Sequence, residues 1–405
     1  MAKFKYKAKN AKGETVSGTT NGSTQDEAVQ KLGRQNLVVV KVKEVAERGE
    51  KRNARAKPSV AKGELELFTR QLATMISAGI PLLECLEILR EQAQSAGFCN
   101  CVGFVIDDIR GGTDLSSAMG KYPKVFSEIY VSMVRAGEAS GQLDEILDRL
   151  AEYLESTAAL KREIKSAMTY PVVSLVMVVA ITGFLMICIV PKFKEIFDGL
   201  EIELPALTVM VMTASLFMKS NVTVCLGGLA AMIFGCKAWK STKSGKVFFD
   251  HLTMRLPVFG PLFRKVALSR FARTFSTLIK SGVPILGSLE IVADTAGNTI
   301  VATAVRDSLE NVRQGETLSE PLGNHWIFPP MVVRMVGIGE KSGALEHLLS
   351  KISDFYDQQV EAEVKALTSL IEPLMIGFMG IMVGGIVLAV FLPIMKLQAS
   401  LTPGG

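Results

Sequence analysis

Apolar positions in this chain follow two different periods. From residue 3 to residue 9 the order Lys-Phe-Lys-Tyr-Lys-Ala-Lys alternates, placing Phe4, Tyr6 and Ala8 on one face and the lysines on the other, the pattern of a half-buried strand. Asn10-Ala11-Lys12-Gly13 supplies a turn, Thr15 to Thr20 a return strand, and Leu37 to Val42 a β-branched third strand. Ser23 or Thr24 can cap a short helix over Gln25 to Gly33, so residues 1–44 are expected to form a small ββαβ module. Its lysine face suits an edge protected against sheet-to-sheet pairing, with contact to anionic lipid as the alternative use. Residues 45–62 lose apolar periodicity in a Glu, Arg, Lys and Ala mixture with Gly49 and Pro58, the composition of a flexible linker.

From Gly63 the period becomes helical. Phe68, Leu72, Met75 and Ile76 form a stripe, Gly79-Ile80-Pro81 interrupts it, and Leu82, Leu83, Leu86 and Leu89 resume it. Further helices are predicted over Cys101 to Arg110, ended by Gly111-Gly112-Thr113, and over Phe126 to Ala136. Beyond residue 142, Leu143, Ile146, Leu147, Leu150 and Leu154 give an amphipathic face of the kind that packs into an all-α bundle.

This pattern occurs twice. Residues 68–89 align with 271–292 at an offset of 203 with ten identities in twenty-two, and Gly137-Glu138-Ala139-Ser140-Gly141-Gln142-Leu143 returns as Gly339-Glu340-Lys341-Ser342-Gly343-Ala344-Leu345. An offset this long is a duplicated domain; a solenoid repeats every few tens of residues. Each copy runs straight into an uncharged apolar stretch, Pro171 to Pro191 and Pro373 to Pro393. At about 1.5 Å per residue, each is long enough for roughly 30 Å of bilayer hydrocarbon.

Two matching soluble modules in one compartment need an even number of crossings between them, and Val222 to Trp239 provides the second. Leu204 to Met218 is cut by Pro205 and is expected to lie at the interface. Lys161, Arg162 and Lys165 precede the first span, and Lys237, Lys240, Lys243 and Lys246 end or follow the second, whereas the loop between them sets three lysines against Glu195, Asp198, Glu201 and Glu203. By the positive-inside tendency both modules face the cytoplasm. The expected organisation is mainly α: an N-terminal module (1–44), a linker (45–62), helical domain 1 (63–168), a span (169–191) and a periplasmic loop with an interfacial helix (192–221). A second span (222–239), a cytoplasmic connector (240–265), helical domain 2 (266–370), a third span (371–395) and a short periplasmic tail (396–405) follow.

Composition changes this picture little. With 405 residues, 48% apolar, 21% charged and a mean hydropathy of +0.30, the chain reads as a hybrid of soluble and membrane parts. No apolar stretch with a small-residue cleavage site opens the sequence, so insertion is expected to use the internal spans. The net charge of +5 is spread without interleaved aromatics, which argues against nucleic-acid binding. Cysteines 85, 99, 101, 188, 225 and 236 form no Cys-x-x-Cys pair and have no histidine nearby, so they read as core or lipid-facing thiols, with no metal or cofactor expected. Gly245-Lys246-Val247 lacks the upstream glycine and the hydroxyl of a phosphate loop, and His251, His325 and His347 neither cluster nor recur between the copies. No catalytic residue is expected.

The candidate functional positions are instead those the two copies share. Gly137, Glu138 and Gly141, with Gly339, Glu340 and Gly343, suit a tight connection between antiparallel helices, in which glycine takes positive φ and the carboxylate or the serine hydroxyl caps the next helix. A docking tip for a partner is the alternative. In the last span Gly377, Gly380 and Gly384, the latter pair in Gly-x-x-x-Gly spacing, suit close packing of membrane helices. A transporter built from parallel repeats fits less well than a scaffold, because each half offers one span and about a hundred soluble residues, with no charge at mid-membrane.

Phe68-Thr69-Arg70-Gln71-Leu72-Ala73-Thr74-Met75-Ile76-Ser77-Ala78-Gly79-Ile80-Pro81-Leu82, the paired Gly-Glu-x-Ser-Gly phrases, Phe328-Pro329-Pro330-Met331 and the ending Phe391-Leu392-Pro393-Ile394 together resemble the inner-membrane platform proteins of type IV pili, a family shared with type II secretion. The likeness runs from about residue 4 to 397. It implies a non-enzymatic, homo-oligomeric platform in the bacterial inner membrane, with its N-terminus cytoplasmic and its C-terminus periplasmic. The partners it implies are hexameric assembly and retraction ATPases, pilin subunits and other inner-membrane alignment proteins; a platform for type II secretion is the alternative.

Overall fold

The computed structural model describes residues 2–9, 15–22, 38–44, 58–198 and 204–401. Side chains are described from residue 58, except at 198, 225, 226, 229, 233, 243 and from 396 onward. The chain divides into two compact units, Met1–Ala151 and Glu152–Gly405.

In the first unit, β1 (Ala2–Lys9), β2 (Thr15–Gly22) and β3 (Val38–Glu44) form an antiparallel sheet in the order β2-β1-β3, with a register shift between Lys7 and Ala8 where β1 meets β3. The helix expected over Gln25 to Gly33 and most of the linker lie outside the described residues. A helical bundle follows: α1 (Glu64–Ser77), α2 (Leu82–Gln92), α3 (Ala96–Arg110), the short α4 (Leu115–Gly120) and α5 (Glu128–Ser140). The stripe read from Phe68 and Leu72 is buried together with Leu86, Phe98, Ile106, Phe126 and Met133. Phe68 and Phe98 meet edge to face with ring centroids 5.1 Å apart. Tyr130 is fully buried, and its hydroxyl satisfies itself against Thr69 Oγ1 at 3.2 Å. Burial pushes the Tyr130 phenol well above its ordinary range, and the Thr69 bond only partly opposes this.

The amphipathic face read from Leu143 and the start of the first apolar run lie on one helix: α6 runs unbroken from Leu143 to Phe184 with Pro171 inside it. A proline removes one intrahelical bond, and here the helix on either side is long enough to carry on through it. The first compact unit ends at Ala151, within this helix. Residues from Glu152 onward belong to the second unit, where Tyr153 meets Thr274 at 3.3 Å and Leu160, Ile164 and Ala167 pack against Leu262, Val360, Val364 and Leu367.

After α6 a π-helical turn (Leu185–Ile189) leads into α7 (Val190–Asp198), and α8 (Ala206–Ser220) and α9 (Val222–Lys240) follow. The stretch taken as a plain connector holds a helix, α10 (Lys243–Arg255), whose N-cap Thr242 accepts from the Gly245 amide at 3.1 Å. The second bundle starts at Gly260, six residues earlier than expected, because Pro261 sits in the first turn, where its missing N–H costs nothing. It comprises α11 (Gly260–Lys280), α12 (Ile285–Thr295), α13 (Thr299–Arg313), the short α14 (Ser319–Gly323) and α15 (Pro330–Ser342). Phe271 packs on Phe328 at 5.0 Å. The last helix, α16 (Leu345–Leu401), is continuous through Pro373 and Pro393 and lies along α11, tied by Lys265 to Glu363 at 2.5 Å and by Ser269 and Arg273 to Asp357.

Two helices among the described residues are long and apolar enough to cross a membrane, Leu143–Phe197 and Leu345–Met395, and Ala206–Ser220 is a shorter apolar helix.

Candidate functional site

The seven-residue phrase forms the same corner in both bundles. Gly141 ends α5 with φ 72° and Gly343 ends α15 with φ 71°, the left-handed closure that lets the chain reverse into the next helix. The first glycine of each phrase does a different job. It lies inside the helix and is buried, and a Cβ there would stand 3.1 Å from Ile146 Cβ at Gly137 and 2.9 Å from Leu345 Cα at Gly339. Only a hydrogen in that place lets α5 approach α6, and α15 approach α16, this closely.

The carboxylates do not cap the next helix, as the sequence suggested; they reach back to the one before. Glu138 accepts the Ser116 amide at the start of α4, at 3.2 and 3.3 Å, and Glu340 accepts the amides of Leu318 at 2.7 Å and Ser319 at 3.4 Å, with the Ser319 hydroxyl at 3.3 Å. The reason is geometric: each glutamate lies three residues before its left-handed glycine, so it still sits on helix and projects across the bundle. The local cap residues, Asp114 and Leu318, make no side-chain cap. A helix of five or six residues cannot support itself, so α4 and α14 are held by a charge contributed from about twenty residues downstream. Both glutamates are half-buried.

The corner between α2 and α3 shows the same device. Glu64 accepts the amides of Gln94 at 2.8 Å, Ser95 at 2.9 Å and Ala61 at 3.0 Å, and the Ser95 hydroxyl at 2.5 Å. Burial pushes the Glu64 carboxyl up, and the donated bonds from Ser95, Ala61 and Gln94 together outweigh it, so the net shift is downward. In the second bundle the matching corner is held by Asp250 of α10, which takes the Thr299 amide at 2.8 Å and its hydroxyl at 2.9 Å.

A second constellation escaped sequence reading. Pro393 has no N–H for the carbonyl four residues earlier, Ala389, and that oxygen accepts the Thr208 hydroxyl of α8 at 2.7 Å. In the first copy the Val190 amide bonds Leu185 O in the π turn, so the pairing that Pro191 leaves open belongs to Met186. Met186 O accepts the Ser215 hydroxyl of α8 at 2.5 Å. Thr208 and Ser215 are both fully buried, and Met212 between them joins a cluster with Val190, Phe197 and Ile386. The helix expected at the interface thus binds the ends of both apolar runs, supplying each proline-orphaned carbonyl with a donor. Two hydroxyls seven residues apart in an apolar helix, with a proline closing each run, were the available signal.

Among the described residues, nothing packs closely on the glycine face of α16. A Cβ built at Gly377, Gly380 or Gly384 meets nothing within 4 Å. Cys85 and Cys101 are buried, with burial pushing the Cys101 thiol up to about 12, while Cys188 and Cys236 are exposed on apolar helices. His325 Nε2 lies 2.9 Å from Asp307 Oδ2, and His251 bonds its own helix at Val247 O, so the structure brings no two histidines together at these contacts.

Compared with known proteins, residues 68–191 and 271–393 each match the model of one family, "Type II secretion system (T2SS), protein F", and residues 1–43 match that protein's N-terminal domain. The chain belongs to the type II secretion system protein F family. The two family segments begin at Phe68 and Phe271 and end at Pro191 and Pro393, the same landmarks that delimit the internal duplication. Among its relatives are a type IV pilus assembly protein PilC of Thermus thermophilus, 41% identical over 99% of this chain and 100% of the relative, and one of Myxococcus xanthus, 36% identical over 99% and 96%. The type II secretion system protein F of Vibrio cholerae is 36% identical over 98% and 99%. In terms of the protein F repeat, the corner glutamate holds the short helix of each copy, and the closing proline of each copy marks the carbonyl that α8 satisfies.

Proposed function

We propose that this protein is a non-enzymatic inner-membrane platform of a type IV pilus machine. Its cytoplasmic bundles would couple assembly and retraction ATPases to the insertion or removal of pilin subunits. The observation that carries the reading is end-to-end similarity to type IV pilus assembly proteins in a chain whose two bundles each continue, without a break, into a helix apolar enough to cross a membrane. A rigid helix shared by bundle and span is a means of passing displacement or torque from one side to the other.

The topology we infer has three spans, namely the apolar ends of α6 and α16 with α9 between them. The N-terminus and both bundles are cytoplasmic and the C-terminal tail periplasmic. The face of Gly377, Gly380 and Gly384 is our choice for contacts between copies in a homo-oligomer. The Gly-Glu-x-Ser-Gly corners serve packing inside each bundle more than docking, since their carboxylates are already engaged. A second reading, the platform of a type II secretion system, is supported by the equally complete likeness to the Vibrio cholerae protein.

Deleting the gene and following surface fibres and secreted protein in parallel separates the two. Loss of fibres with secretion intact is expected, and loss of secretion alone would overturn the pilus assignment. Reporter fusions near Asn100 and Asn311 should report the same compartment. Gly380→Leu with Gly384→Leu should change oligomer size in detergent, and an unchanged size would remove the glycine face from the proposal.

A further inference from the structure

Between α6 and α11 lies a groove of about 320 Å³. Its apolar wall includes Leu160, Ile164 and Met168 of α6 and Val266 of α11, and Lys161 and Lys165 of α6 and Arg270 of α11 also line it. No carboxylate is among its lining residues. A fourth cation, Arg273, is already spoken for by Asp357. Three of the four lining hydroxyls are engaged among themselves or with Asp357: Tyr153 and Thr274 bond each other at 3.3 Å, and Ser269 donates to Asp357 at 2.5 Å. An occupant thus meets a mostly apolar surface flanked by Lys161 and Lys165, with Arg270, whose guanidinium also lies against Gly297, at its edge and few free donors or acceptors. That excludes an extended peptide, whose backbone amides and carbonyls would go unpaired.

Position narrows the choice further. Met168 is three residues before Pro171 on the same unbroken helix, about 5 Å along its axis from the start of the uncharged run. An anionic headgroup at the membrane boundary would face Lys165 and Lys161, and the groove would take up a chain that needs no hydrogen bonds. We propose that this groove is a binding site for an anionic phospholipid, with the phosphate on Lys161, Lys165 and Arg270 and an acyl chain against Leu160, Ile164 and Met168. The inference rests on α6 entering the membrane at Pro171.

The test uses the full-length protein, first checked for retention in alkaline-washed membranes and then placed in phosphatidylcholine nanodiscs with or without phosphatidylglycerol. Native mass spectrometry after release should show phosphatidylglycerol retained in preference to phosphatidylcholine. Lys161→Gln with Lys165→Gln should reduce that preference roughly 25-fold, since each basic side chain at an anionic surface is worth about fivefold in partition. Thr157→Trp, which fills the groove and leaves the cations in place, should also remove the retained lipid, and it keeps the test alive if the double variant folds poorly. Equal retention of the two lipids, or retention that survives Thr157→Trp, overturns the site. Displacement by sn-glycerol 3-phosphate as effective as by lipid would reduce it to an anion site, and displacement by an acidic peptide would make it a protein surface; either overturns the lipid proposal. Release by alkaline washing would overturn the span itself, an outcome distinct from a retained protein with no lipid preference.

Discussion

Replacing Glu340 by alanine removes the acceptor for the amides of Leu318 and Ser319 at the start of α14. Loss of an N-terminal cap costs about 0.5–2 kcal/mol. The upper part of that range applies here, because the bonds are charge-assisted, the glutamate is half-buried, and the cap residue Leu318 has no side chain to substitute. At about 1.4 kcal/mol, local opening of α14 becomes roughly tenfold more frequent. The readout is amide hydrogen exchange of the full-length protein in detergent, resolved to the peptide over Leu318 to Gly323. Exchange there should accelerate about tenfold in Glu340→Ala and by a smaller factor in Glu340→Gln, which keeps an oxygen acceptor and loses only the charge. Glu138→Ala should do the same at Ser116 and leave α14 unchanged, since the two sites share no partner. If exchange at α14 does not respond while capture of an assembly ATPase falls, the glutamate is a docking group and the capping account is wrong.

Other substitutions test neighbouring steps of the reasoning. Thr208→Val leaves Ala389 O without its donor and Ser215→Ala does the same to Met186 O. Each should destabilise the protein by about 1 kcal/mol in detergent unfolding, between the roughly 0.6 typical of hydrogen bonds in membranes and the roughly 1–3 expected for an orphaned buried group, and a neutral result at both would dismiss the role given to the α8 hydroxyls. Gly339→Ala should cost about 1–3 kcal/mol by forcing α15 from α16, and more than Gly137→Ala, because its nearest contact would be the Leu345 backbone at 2.9 Å, whereas that of Gly137→Ala would be the Ile146 side chain at 3.1 Å. Glu64 has a folded pKa below its ordinary 4.5, so its contribution is present above the unfolded value and is lost as pH falls through the folded one. Acid should therefore loosen the Gln94–Ser95 corner, and Glu64→Gln should flatten that pH dependence of local exchange at this corner. Cys101, buried with its thiol pushed up to about 12, should resist maleimide at pH 8 in the folded protein.

Much of the molecule was legible in the chain because its signals are local or repeated. Period-two alternation marked the strands, 3.6-residue stripes marked the bundles, and an offset of 203 residues marked the duplication. Gly79, Gly112, Gly141 and Gly343 announced turns that do adopt positive φ. Pro171, Pro373 and Pro393, which bracket the apolar runs in the chain, each lie inside a continuous helix, because losing one bond does not end a helix held by its packing on both sides.

What the sequence by itself determined is the period of each element, the duplication, and the apolar runs, since all of these depend on near neighbours or on self-comparison. Only the tertiary structure decided where Glu138 and Glu340 point, which carbonyls Thr208 and Ser215 satisfy, and that residues beyond Glu152 pack with the second bundle. Those facts rest on pairs separated by about twenty to nearly two hundred residues, and a carboxylate or hydroxyl carries no mark in the chain of which distant backbone group it will meet.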